Sequence, residues 1–335
     1  MFFVKVGDIV RINKYIELHA HLDGAITVDI AKELSKLQDI KLNANNDEQL
    51  LNMLSVPSTC NSLNDFLKCF DLPLTLLQTE KAITTAVYRV LENMRKDNVV
   101  YAELRFAPQL HTKCGLTQSM TVKAAIKGIE KASIPANIIL CCMRGDNNDT
   151  ENNTTVEIAH DMLTKHGGVV ALDLAGAEGL YPTSKYTKIF EKANKYGIPF
   201  TIHAGEADGV ESVISAIDMG AVRIGHGVRI AGNEEVMKMI ADKKIYLEMC
   251  PTSNKITKAI QDMRDYPIID FLNKGIKVTV NTDDSAIERT TLSDEFRYLE
   301  KEFGLTKKQE LDIFNNSIEA AFTTQEIKEK LKKII

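Results

Sequence analysis

Three things are scarce in this 335-residue sequence: an excess of positive charge, long apolar runs, and cysteines in any ordered spacing. Lysine and arginine number 41 against 46 acidic residues, a formal net charge of −5. That balance offers no electrostatic footing for nucleic acid or for an anionic membrane surface, and neither is expected as a partner. No apolar run approaches the roughly 20 residues that a membrane-spanning helix needs. In the opening stretch, Lys5, Asp8 and Arg11 interrupt the apolar core that a secretion signal requires. Cys141 and Cys142 are adjacent and the other cysteines are scattered, with neither metal-binding nor redox spacing. Reduced thiols in a cytoplasmic protein are the simple expectation. No G-x-G-x-x-G follows the first apolar run, which argues against a dinucleotide-binding sheet.

What is present reads as an α/β protein. Hydrophobic residues make up 44% and charged residues 26%, an ordinary globular balance. Eight short apolar runs recur along the chain, at 15–19, 99–106, 137–144, 169–174, 199–203, 223–226, 245–249 and 277–281. They are mostly continuous rather than alternating, as in strands buried on both faces of a parallel sheet. Amphipathic segments separate them. Val210, Val213, Ile214 and Ile217 mark one helical face. Asp208 and Glu211 predict a capping-box-like start for that helix, and Gly220 its end. Strand and helix alternating this many times predict a (β/α)8 TIM barrel, with an open doubly wound sheet as the alternative. About eighty residues between the first two strands read as a helical insertion, and the chain is helical after the eighth strand. No linker breaks the pattern, so residues 1–335 are expected to form a single domain.

Chemistry-bearing residues collect at the ends of these runs. His19 and His21 stand two apart on the first strand, so both side chains face the same way. His203 ends the fifth strand with Glu206 three residues on, and His226 ends the sixth between Gly225 and Gly227. Asp283 and Asp284 follow the eighth; adjacent carboxylates repel unless a cation lies near. Taken singly, each has an ordinary explanation: a packed strand histidine, a solvated first-turn glutamate, an N-cap aspartate. Taken together, they fall at the C-terminal ends of four barrel strands, where barrel enzymes keep their sites. Three histidines and an aspartate form a nitrogen and oxygen donor set suited to zinc. The remaining histidines, His111, His160 and His166, fall in predicted loop or helix and are read as structural.

These stretches resemble the adenosine deaminase family: His19-Ala20-His21-Leu22-Asp23-Gly24-Ala25, Asp173-Leu174-Ala175-Gly176, His203-Ala204-Gly205-Glu206, Arg223-Ile224-Gly225-His226-Gly227, Cys250-Pro251-Thr252-Ser253-Asn254 and Asn281-Thr282-Asp283-Asp284. The resemblance spans nearly the whole chain. It implies one zinc ion per subunit on His19, His21, His203 and Asp283, with His21 also facing the substrate. It implies Glu206 as the acid that protonates purine N1, and His226 with Asp284 as the pair that orients and deprotonates the attacking water. Gly176 would offer its backbone N–H to purine N3, and Asp23 would accept from the ribose 5′-hydroxyl. Leu63, Phe66, Leu67 and Phe70 would form an apolar lid. The implied reaction converts adenosine, and by extension 2′-deoxyadenosine, to inosine and ammonia in purine salvage. The implied partner is a small purine nucleoside; oligomeric state is not legible.

Alternatives remain at this level. A deaminase of adenine or another 6-aminopurine would share the fold, although Asp23 before Gly24 favours a nucleoside. A two-metal amidohydrolase would carry a bridging lysine near the end of the fourth strand, which has none. An inactive nucleoside-binding barrel would have lost a ligand or the acid. A cytidine-type deaminase would need Pro-Cys-x-x-Cys and His-x-Glu, and both are absent.

Overall fold

A computed structural model describes residues 13–57, 60, 66 and 68–334. All eight predicted strands form, within two residues of the apolar runs. They are β1 (Tyr15–His21), β2 (Val99–Phe106), β3 (Ala136–Met143), β4 (Val169–Ala175), β5 (Thr201–Ala204), β6 (Arg223–His226), β7 (Tyr246–Met249) and β8 (Lys277–Val280). Neighbours in sequence pair in parallel, in the order β1-β2-β3-β4 and β5-β6-β7-β8. Two bridges join these half-sheets into a closed (β/α)8 barrel: Leu172 with Phe200, and Ala20 with Asp283. The second seam is double, since His21 N–H donates to Asp283 O and Asp283 N–H donates to His19 O, both at 2.9 Å.

The insertion between β1 and β2 is helical, at Val28–Gln38, Asp47–Leu54, Asp71–Leu76 and Glu80–Lys96. The last of these begins where Thr79 accepts from Ala82 N–H, and it buries Ile83, Ala86, Val87, Val90 and Leu91 along one face. After β8 the chain is again helical. Lys307–Ala320 starts in a Thr306/Gln309 capping box and seats Phe314 and Ile318 against Ile16, Leu18 and Tyr101 at the barrel floor. Among the described residues, no helix is long and apolar enough to cross a membrane.

One local expectation fails. The helix after β5 is Val210–Met219, and its N-cap is Gly209 with no side-chain cap. Asp208 instead turns back on the Gly209 N–H at 2.8 Å. Its stop is as expected, with Gly220 in the left-handed region at φ 97°.

Below the mouth, the barrel interior holds a layer of fully buried charges. Arg105 donates to Asp173 at 3.0 Å, to Glu248 at 2.9 Å and to the Leu18 carbonyl at 2.7 Å. Arg223 donates to Glu248 at 2.5 Å and to Glu103 at 2.6 Å, and its guanidinium lies 4.0 Å over the Phe322 ring. Buried charges persist only when paired in this way.

Candidate active site

The barrel mouth brings four donor atoms together. His19 Nε2 lies 3.0 Å from His203 Nε2 and 3.3 Å from Asp283 Oδ1. His21 Nε2 lies 3.2 Å from His203 Nε2 and 3.4 Å from the same Asp283 oxygen. Donors about 2.0–2.1 Å from one ion stand about 2.9–3.6 Å apart when they are adjacent around it, so these separations match a zinc-sized cation.

The protonation pattern makes the same point. His19 Nδ1 faces Glu248 at 2.7 Å, and His203 Nδ1 faces Asp173 at 3.1 Å. Each carboxylate claims the Nδ1 proton and leaves a lone pair on Nε2. Two such lone pairs turned toward each other, with a carboxylate oxygen beside them, need a cation between them. Burial and Arg105 oppose charge on His19, yet Asp283 and Glu248 raise its pKa to about 9. Burial holds His21 well below its ordinary value, with His203 and His19 adding to the effect. Burial works against the charge of Asp283, but the surrounding imidazoles, His19 foremost, keep its carboxyl well below the usual range. The field at this point favours one positive charge, and the residues fit a divalent metal.

Backbone geometry serves the cluster. His226 and Asp283 have φ of 63° and 61°, in the left-handed region that costs side-chain-bearing residues about 1–3 kcal/mol. The double seam to β1 holds Asp283 there. Gly225 is required for a different reason: a Cβ would lie 3.0 Å from His19 Cε1 and 3.2 Å from His203 Cα. The glycine lets β6 pass behind the two imidazoles.

The proposed catalytic groups ring the same cavity, about 210 Å³ in volume, into which Asp23, Gly176, Glu206, His226 and Asp284 all project. The Tyr266 hydroxyl donates to Asn254 Oδ1 at 3.1 Å, which turns the amide nitrogen of Asn254 onto His226 Nδ1 at 3.0 Å. His226 therefore carries its proton on Nε2, which is 3.6 Å from Glu206 Oε2. Burial keeps this imidazole below its ordinary pKa. His226 Nε2 and Asp284 Oδ1 are buried without a hydrogen-bond partner. Burial, then the carboxylates of Asp283, Asp23 and Glu206, push Asp284 well above the usual carboxylate range. Asp23 is likewise raised by burial, to about 6. Phe66, Phe70 and Leu74 form an apolar wall. Of the lid residues, Leu63 and Leu67 lie outside the described residues. No lysine or arginine lines the cavity among the described residues.

Every metal-ligand candidate read from the sequence thus meets at one point, and every catalytic and substrate-binding candidate faces one cavity. Sequence reasoning missed Glu248 and Glu178 altogether and gave Asp173, Ser253 and Asn254 no role. Ser253 donates to Asp283 Oδ2 at 2.8 Å. The available signal was charge out of place: Glu248 and Asp173 are single acids inside otherwise apolar strands, and a buried acid must have a partner.

The adenosine deaminase family model matches residues 15–335. The chain is 46% identical over 322 residues to the adenosine deaminase of Haemophilus ducreyi, covering 94% of each chain. It is 39% identical over 330 residues to that of Clostridium botulinum, covering 96% of this chain and 97% of that one. Among solved structures, the N6-mAMP deaminase of Arabidopsis superposes with a TM-score of 0.83 at 26% identity, covering 96% of this chain and 97% of that one.

Proposed function

The chain belongs to the adenosine deaminase family, and from that premise we propose how its own residues carry out the hydrolytic deamination of adenosine to inosine and ammonia. The convergence of His19, His21, His203 and Asp283 beside an unpartnered Asp284 carries the reading. These four residues would hold one zinc ion. Zinc, when bound, supplies the Lewis acidity that makes water nucleophilic near neutral pH.

The protein's groups then divide the proton work. Asp284 lines the cavity beside the four donors and has a free oxygen, so it takes the proton of the attacking water. His226, with Nε2–H turned into the cavity, donates to the water oxygen and fixes its approach to C6. Glu206 protonates N1, which makes C6 more electrophilic and lowers the cost of breaking the ring's aromaticity. The proton held by Asp284 then passes to the 6-amino group, the C6–N6 bond breaks to release ammonia, and Glu206 recovers a proton from the new C6 hydroxyl to leave the inosine carbonyl. Gly176 offers its N–H to N3, and Asp23 accepts from the 5′-hydroxyl.

A free nucleoside suits this cavity better than a nucleotide. Asp23 and the other carboxylates would repel a phosphate, and no cation among the described lining residues offsets them. The buried thiols Cys141, Cys142 and Cys250 suit a reducing cytoplasm, and we read residues 1–335 as one catalytic domain.

Adenosine turnover followed by ultraviolet absorbance, with metal analysis alongside, tests the assignment. Glu206→Gln should lower kcat by about 10²–10⁴ while keeping the metal, as loss of a positioned general acid does. His19→Ala should lose metal and activity together. Near-normal kcat in metal-loaded Glu206→Gln rules the acid role out. Turnover of adenine in preference to adenosine rules out the nucleoside.

A further inference from the structure

The turn between β5 and the following helix is built around an anion that the chain supplies itself. Four consecutive backbone N–H groups point at the carboxylate of Glu178, which comes from the loop after β4. Its Oε1 accepts from Gly205 at 2.7 Å. Its Oε2 accepts from Glu206 at 3.0 Å, Ala207 at 2.6 Å and Asp208 at 3.0 Å. The Ser212 hydroxyl adds a fifth hydrogen bond, to Oε1, at 2.5 Å.

A run of inward-curling N–H groups is an anion nest. This nest is buried, with Glu178 only 1% exposed. Burial opposes the charge, but Ser212 and the amides of Asp208 and Ala207 outweigh it and keep the carboxyl below its ordinary pKa. The arrangement is not a helix cap, because the helix starts at Val210, beyond the turn. Its effect falls on the turn itself, and Glu206 is the second residue of that turn. The far side is fixed as well. Arg144 donates to the His203 carbonyl at 2.6 Å and to Thr183 Oγ1 at 2.9 Å, and Thr183 meets Ser212 at 2.6 Å.

We propose that Glu178 is a positioning residue for proton transfer: by filling the 205–208 nest it sets where the Glu206 carboxyl meets the purine ring. This rests on Glu206 acting as the acid. The substitution Glu178→Ala empties the nest. A displacement of about 1 Å in a reacting group costs about 10²-fold. So kcat for adenosine should fall by about that factor, while KM and metal content stay near those of the wild type.

Sodium formate or acetate should then restore kcat in a saturable way, because a small carboxylate can re-enter the nest; sodium chloride should not. A purely structural role would leave no such rescue. Failure of both carboxylates to restore activity in folded, metal-loaded enzyme overturns the proposal, as does a kcat within threefold of wild type. If Glu178→Ala does not fold, Ser212→Ala removes one of the five hydrogen bonds. It should lower kcat several-fold at unchanged KM, and an unchanged kcat overturns the proposal there too. Full activity in Glu206→Gln would instead strike the acid assignment. An unaffected Glu178→Ala beside a crippled Glu206→Gln strikes this proposal alone.

Discussion

Replacing Gly24 by alanine displaces Asp284 without altering a metal ligand. Gly24 does not occupy the left-handed region, so alanine brings no backbone strain of its own. The difficulty is space. A Cβ on residue 24 would lie 1.8 Å from Asp284 Oδ1, 2.6 Å from its Cγ and 2.7 Å from its Cβ. Ordinary contact begins near 3.4 Å, so the oxygen must retreat by about 1.6 Å. Side-chain rotation alone does not suffice, because the Cβ of Asp284 is itself too close. The main chain cannot follow freely either, because the preceding residue, Asp283, is pinned to β1 by two hydrogen bonds of 2.9 Å. A proton acceptor moved by more than an ångström costs about 10²-fold or more in rate. Gly24→Ala should therefore lose at least about 10²-fold in kcat. Its metal content should remain stoichiometric, since the four ligands are untouched. The assay is adenosine turnover by ultraviolet absorbance, with metal analysis and a thermal melt on the same preparation. A folded, metal-loaded Gly24→Ala enzyme with kcat within fivefold of wild type would refute the role given to Asp284. Loss of the metal would refute the claim that Asp284 and the ligands are separable.

The carboxylates behind the imidazoles should tune metal affinity. Asp173→Asn and Glu248→Gln should each weaken metal binding about 10- to 100-fold in chelator competition, and unchanged affinity in both would dismiss that role. A second effect concerns stability at low pH. His111 is buried, its Nδ1 donates to the Leu77 carbonyl at 3.0 Å, and burial lowers its pKa from 6.5 to about 4. The unfolded chain takes up a proton near pH 6.5 and the folded chain only near 4, so stability is full above that interval and falls through it by about 3 kcal/mol. Denaturant midpoints at pH 7 and pH 4.5 measure the loss. His111→Gln should flatten it, and an equally steep fall in that variant assigns the loss elsewhere.

The fold and the four donors that meet at the barrel mouth were legible in the sequence for one reason: both are written in short local patterns. Eight apolar runs mark eight strands, and His19, His21, His203 and Asp283 stand at their ends. The supporting contacts were harder to read because they are long-range. Glu248 is 229 residues from the imidazole it orients, and no local pattern pairs them. The 208–211 region misled for a related reason. Asp208 and Glu211 have the spacing of a cap, but Glu178 already holds the turn, so the helix begins later and uncapped. Tertiary hydrogen bonds overrode a local preference worth about 1 kcal/mol.

The double seam at Asp283 has a consequence for biosynthesis. Leu18 and Asn281, neighbours along that seam, are joined by a hydrogen bond spanning 263 residues of sequence. A nascent chain displays His19 and His21 from the start of translation but acquires their carboxylate partner only when the last stave leaves the ribosome. Shortened chains that lack it hold imidazoles without a complete cage. On the reading proposed above, catalytic competence arrives in one step with the finished barrel, and an ion held by these residues would also clasp the first strand to the last.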